Sequence, residues 1–316
     1  MLGVEAEAAL ARRPAEMVSV SPELWAVLER AADGELRVDF EAAWTNGEAF
    51  FRAVDGLRGR PPVAIEWKGA QRAPGDEVVP ADLRVDHVFL VSCKYLSRIL
   101  VNASPAHLFE RLLKGGHGVR GPDWYGIVAP DAYQALYAVV RADLGDESLP
   151  TGVGELTTEE RRRVRTELAS GWPESCTAAY RELSQAVANA SARLWRLALT
   201  GDGEREAMLW RLLRIGSAPY FVLGTSPSGA LRLRIATPWD WRQEFRLLEF
   251  TVEAEQAGQP RVSWQALIRD RHSGEDRRVS GHVEIRWSHG RFSGPPEAKA
   301  YLDSPHADVP GYFPLQ

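Results

Sequence analysis

Residues 62–95 read PVAIEWKGAQRAPGDEVVPADLRVDHVFLVSCKY. Two apolar, β-branched runs, PVAIEWKG (62–69) and VDHVFLVSCKY (85–95), flank a polar loop, AQRAPGDEVVPADLR (70–84), rich in Gly, Pro and Asp. That is the pattern of two strands joined by a loop. Side chains alternate along a strand, so Glu66 and Lys68 share one face of the first run. Asp86, Ser92 and Lys94 share a face of the second, with His87, Phe89, Val91 and Cys93 on the other. Burying an unpaired charge is costly. Carboxylates and lysines inside runs this apolar therefore mark residues that either pair with one another or carry chemistry.

The flanking sequence is helical. SPELWAVLERAADG (21–34) has Ser at the N-cap, Pro at the first helical position and Gly at its end. A second helix is expected after Asn46, through GEAFFRAVDGL (47–57), and a third in SPAHLFERLLKGG (104–116). GHGVRGPDWYGIVAP (116–130) reads as a loop, and helical sequence then dominates from Asp131 to Ile215, with breaks near Leu144–Gly154 and Gly171–Pro173. From about Ala218 the pattern changes to five strand-like runs separated by turns such as SPSG and HSGED. The proline-rich tail GPPEAKAYLDSPHADVPGYFPLQ (294–316) reads as an extended strap. The expected fold class is α+β, with a mixed sheet and flanking helices in residues 1–125, a helical region in 126–215, and an antiparallel β-rich domain that folds on its own in 216–316.

With 316 residues the chain can bury a substantial core in two or three domains. No run reaches the length of a membrane span, and the N-terminal MLGVEAEAALARRPAEM lacks a basic leader followed by an apolar segment. Two cysteines, Cys93 and Cys176, are too few for a disulfide framework or a thiolate zinc site. The expected location is the cytoplasm. A net charge of −5 argues against a generic nucleic-acid coat, but the charge is uneven: residues 58–120 hold ten Lys/Arg against six Asp/Glu. That basic zone surrounds the strand pair and suits an anionic substrate. No G-x-S-x-G, Walker A or G-x-G-x-x-G stands at a strand–helix junction.

A helix, then strands carrying Asp, Glu-x-Lys and Ser-x-Lys, then another helix resembles the core of the PD-(D/E)xK nuclease superfamily, over roughly residues 40–120. The resemblance implies a restriction-endonuclease-like mixed sheet and metal-dependent cleavage of DNA or RNA. In that family an Asp and a Glu or Asp bind a divalent metal, and the Lys two residues on positions the attacking water. Mg²⁺ or Mn²⁺ is the implied ion, held by hard oxygen ligands. The tripeptide Ser92-Cys93-Lys94 departs from the pattern by placing Ser where a carboxylate is usual. A branch of restriction endonucleases also writes Ser-Cys-Lys and recovers its carboxylate from a Glu on the following helix. On that carry-over Lys94 is the catalytic lysine and Glu110 the displaced metal ligand, while Asp86, Asp82 and Asp39 compete for the upstream Asp.

Were residues 86–94 one straight strand, Asp86 and Lys94 would stand about 27 Å apart and could not share a metal. A hairpin centred near Gly75–Asp76 would instead set Asp86 opposite Glu66. The favoured site combines Glu66 and Asp86 with Lys94 or Lys68, and the metal ligands are Glu66, Asp86 and Glu110. A second constellation, His282, Glu284 and Arg286 with His289, Glu297, Lys299, Asp303 and His306, matches no zinc spacing and reads as bracing for the fold. Trp239, Trp241, Trp264 and Trp287, with Arg286 and Arg291, compose either β-domain core or a platform where bases stack and phosphates pair. Two functions therefore remain open: a metal-dependent nuclease, or a non-catalytic subunit with a degenerate nuclease-like core that binds nucleic acid, a protein partner or a second copy of itself.

Overall fold

The computed structural model describes residues 1–68, 81–113, 123–216, 219–227, 229–256 and 258–316. The loop centre near Gly75–Asp76 and the Gly115–Gly116 helix end lie outside these residues. The fold is mixed α+β, as the sequence predicts, with a mixed sheet and a separate antiparallel sheet.

The N-terminal helices are α1 (Ala6–Arg12), α2 (Pro22–Asp33) and α3 (Arg37–Arg52). In α2 the Ser21 side chain accepts from the Leu24 amide at 3.3 Å, with Pro22 behind it, as the sequence signature requires. Helix α3 begins nine residues before Asn46 rather than after it. Asn46 is not a cap. Its buried amide donates to the Gly224 carbonyl at 2.9 Å and accepts from Arg232 Nε at 2.8 Å, so tertiary bonds override its usual preference for helix ends.

The strand pair of the sequence becomes three strands. They are β2 (Ile65–Trp67), β3 (Leu83–Val85) and β4 (Phe89–Tyr95), in an antiparallel meander, with β1 (Met17–Val18) parallel to β2 at the edge. Strand β3 comes from the end of the polar loop, so 62–68 and 86–94 share a sheet but are not neighbours. Nor is 86–94 one strand: Asp86 and His87 take φ of 51° and 58° and form the β3–β4 turn. Glu66 consequently faces Arg84 in register, not Asp86.

Beyond β4, β5 (Ile99–Ala103) leaves for the second sheet and leads into the helical turn His107–Arg111. The helical middle follows as α4 (Trp124–Val128, in a segment expected as loop), α5 (Pro130–Leu144), α6 (Thr158–Glu167), α7 (Thr177–Ala198) and α8 (Asp202–Leu212). The chain returns as β6 (Tyr220–Ser226), parallel to β4, and β7 (Gly229–Ile235), antiparallel to β6. Residues on β6 alternate between two cores. Phe221 and Leu223 join Phe50, Leu57, Ile65, Val85 and Val91 beneath α3, whereas Tyr220 and Val222 join the large core under the helical middle. A strand buried on both faces reads as an unbroken apolar run, which is what YFVL shows.

After α9 (Pro238–Glu244) come the long strands β8 (Phe245–Gln256), β9 (Pro260–Asp270) and β10 (Asp276–Arg286), then β11 (Glu297–Leu302) and β12 (Tyr312–Pro314). The second sheet runs β5-β11-β10-β9-β8, and α7 packs on β8 and β9. The first runs β1-β2-β3-β4-β6-β7-β12. The sheets cut across the boundary expected at residue 216. Strands β6, β7 and β12 complete the N-terminal sheet, and β5 crosses into the C-terminal one. The tail is a strap only in part, since β11 sits between β10 and β5 inside its sheet.

Candidate functional site

Glu66 sits on β2 with Arg84 opposite. Arg84 donates through both Nε and a terminal nitrogen, the latter at 3.2 Å, and Lys68 Nζ and His87 Nδ1 each lie 3.8 Å from the carboxylate. The Arg84 hydrogen bond chiefly, with Lys68 and His87 adding, holds the Glu66 carboxyl below the usual range. Asp86 closes a turn instead. Its Oδ1 accepts from the Val63 and Ala64 amides at 2.6 and 3.2 Å, and Arg60 lies 3.4 Å from its other oxygen. A positive φ is tolerated by Asp better than by most residues, which suits this position. Glu110 is exposed on the turn His107–Arg111. Among the described residues no three His, Cys, Asp or Glu side chains gather to hold a metal, so Glu66, Asp86 and Glu110 do not form a cage.

The carboxylate whose charge acts on Lys94 is a different one, Asp82. Asp82 lies just before β3, its backbone tied to Val91 O at 2.8 Å and to Lys68 N at 3.0 Å. This extends the pairing of β3 with both neighbours by one residue and aims the side chain at the end of β4. There Asp82 Oδ2 accepts from the Cys93 amide at 2.6 Å and from Ser92 Oγ at 3.2 Å. Ser92 is buried. Strand β4 opens to solvent at Cys93, which is exposed and not in the core as strict alternation predicts.

Lys94 Nζ donates to the Ile99 carbonyl at 3.0 Å. Burial lowers its pKa; the Asp82 charge opposes that shift and Arg214 reinforces it. Arg214 follows α8 and reaches the Leu100 carbonyl at 2.8 Å. His306 completes the group, its pKa lowered by burial and then by Lys94 and Arg98. The charge on Lys94 is thus felt by, or acted on by, Asp82, Arg214 and His306, which come from separate segments of the chain. The close approach of strands here requires glycine at 224, opposite Lys94 in register: a Cβ would lie 1.8 Å from the Lys94 carbonyl oxygen.

The chemistry of this group is that of an anion site with a single hard oxygen ligand. Mg²⁺ is commonly held by one or two carboxylates together with substrate phosphates, not by a protein cage. Asp82 fits an ion of that kind arriving with a phosphate. Sequence spacing leaves Asp82 as one of three competing Asp residues, because β3 is only three residues long and looks like loop. The sequence places no local signal on Arg98, Arg214, Tyr220 or His306, which reach the site through the topology. The second constellation braces the sheet: His282 Nδ1 lies 2.8 Å from Asp303 and its Nε2 3.6 Å from Glu284, while Lys299 and His289 reach Glu297. No protein-family model, curated protein or solved structure matches this chain.

Proposed function

We propose that the chain is a divalent-metal-dependent nuclease whose site is Asp82 and Lys94, in place of the pair Glu66 and Asp86. The observation that carries this reading is the contact of the Asp82 carboxylate with Ser92 and the Cys93 amide, on the strand that presents Lys94. The Asp and Ser-x-Lys positions of the PD-(D/E)xK resemblance therefore meet at one strand end. Further support comes from the surrounding order: helix α3, three antiparallel strands, a helical crossover, and a parallel strand beside β4. Buried titratable groups with shifted pKa values, clustered where strands end, are a common mark of reactive sites.

In this reading Asp82 is the protein's ligand for the metal, which when bound neutralises phosphate charge and lowers the pKa of its water. Lys94, held by the Ile99 carbonyl, donates to the attacking oxygen or to a phosphate oxygen. Arg98 and His306 favour the anionic substrate. Ser92 and the Cys93 amide fix the Asp82 rotamer. A second reading is a non-catalytic subunit, favoured by the serine at 92 and by the lack of a three-ligand cluster among the described residues.

Incubation of single- and double-stranded DNA and RNA with the protein in Mg²⁺, Mn²⁺, Ca²⁺ or EDTA tests the choice. The nuclease reading expects cleavage in Mg²⁺ or Mn²⁺ and none in EDTA, with loss in Asp82→Asn. Intact substrate under every metal condition, with salt-sensitive binding or capture of a partner chain, supports the second reading.

A further inference from the structure

Away from Lys94, at the opposite end of the second sheet, an open cleft of about 600 Å³ lies between the end of α6, the start of α7 and the chain following β10. That volume falls in the range of small-molecule sites. Its lining includes Arg165, Arg286 and Arg291 with Trp172, Tyr180 and Trp287, and no Asp or Glu is among the lining residues. In a chain of net charge −5 this composition is not the average surface. Arg286 has a carboxylate nearby, Glu284 at 3.7 Å, and His289 has Glu297 at 3.6 Å. Among the described residues, Arg165 and Arg291 have none.

The cleft is built, not incidental. Trp172 and Tyr180 stack with centroids 4.6 Å apart, and the Arg291 guanidinium lies over the Trp172 ring at 4.9 Å. Arg291 also donates to the Leu168 carbonyl, so its plane is fixed before any ligand arrives. Gly290, with φ of 102°, packs so closely on Arg165 that a Cβ would fall 2.5 Å from Arg165 Cγ. The turn thus needs glycine to let this arginine lie along the cleft wall.

We propose that this cleft binds single-stranded nucleic acid, with phosphates on Arg165 and Arg291 and a base stacked on the Arg291 guanidinium plane or the Tyr180 ring. Guanidinium planes and aromatic rings are the usual platforms for unpaired bases. A duplex buries its base faces and offers phosphates alone, so the aromatic half of the cleft would gain nothing from it. The inference deepens the nuclease reading by naming the form of its substrate, but its test reads binding and not cleavage.

Fluorescence anisotropy with labelled dT12, rU12 and a 12-base-pair duplex, all in EDTA, measures the site without turnover. The parent protein is expected to hold the single strands more tightly than the duplex. Arg291→Ala and Arg165→Ala are each expected to weaken single-strand binding about tenfold, and each to reduce the slope of log K against log salt by about 0.7. Arg165 is exposed, so its variant reports even if Arg291→Ala proves unstable. Arg291→Lys keeps the charge but loses the plane, and should retain the salt slope while losing affinity. Equal affinity for duplex and single strand, unchanged binding in both arginine variants, or full displacement by a poly-glutamate of matched charge would overturn the proposal.

Discussion

Replacing Asp82 by alanine probes the site through stability before any activity is measured. The carboxylate accepts from the Cys93 amide at 2.6 Å and from the buried Ser92 hydroxyl at 3.2 Å, and it is the negative charge that acts on Lys94. Hydrogen bonds to a charged group contribute about 1.5–3 kcal/mol each. Water at the exposed Cys93 end recovers part of one bond. The expected cost of Asp82→Ala is therefore about 2–4 kcal/mol. Asp82→Asn keeps an acceptor for the Cys93 amide and loses the charge, so it should cost about 1 kcal/mol. Urea unfolding followed by tryptophan fluorescence measures both. If Asp82→Ala unfolds within about 0.5 kcal/mol of the parent, the carboxylate is not engaged as described and the site built on it fails.

Other consequences follow from single contacts. Gly224→Ala should cost at least about 3 kcal/mol or prevent folding, because its Cβ would strike the Lys94 carbonyl between paired strands; a variant of normal urea midpoint would contradict the register. Asn46→Ala should cost about 1–3 kcal/mol in the same assay, since it unties α3 from Gly224 and leaves Arg232 Nε without its acceptor. For His282, burial lowers the pKa but hydrogen bonds to Glu284 and Asp303 outweigh it, and the folded value is raised above 6.5. A raised folded pKa gives stability that is fully present below the unfolded pKa and is lost as pH rises through the folded one. Melting temperatures from pH 6 upward should therefore fall more steeply for the parent than for His282→Gln, and parallel curves would refute the pairing.

How far the sequence could be read is clearest around residue 86. The apolar runs, the caps at Ser21 and the β-rich end were legible because each is a local pattern: periodicity, Ser-Pro, short turns. The meander was not, since Leu83–Val85 is three residues inside a polar stretch, too short to show alternation. Without β3 the register shifts by one strand, which sets Asp86 instead of Arg84 opposite Glu66 and hides the Asp82 contact. Glu66-x-Lys68 has the look of a catalytic motif, but a half-buried glutamate on a strand needs only a cation opposite, and Arg84 provides it. The domain boundary failed for a different reason. A strand carries no mark of which sheet it joins, and the apolar run at Tyr220–Leu223 suits a central strand in either. Arg214 and His306 lie more than a hundred residues from Asp82 in sequence; the crossover from β4 to β6 carries Arg214, and the segment between β11 and β12 carries His306.

The measurement that tests the central claim most directly is single-turnover cleavage of a labelled oligonucleotide in Mg²⁺ by the parent, Asp82→Asn, Lys94→Met and Glu66→Gln proteins at matched fold stability. The account predicts that the parent and Glu66→Gln cleave at similar rates, while Asp82→Asn and Lys94→Met lose at least about a hundredfold. Cleavage that survives in Asp82→Asn and Lys94→Met but is lost in Glu66→Gln would place the chemistry at the Arg84-bound carboxylate and contradict the account.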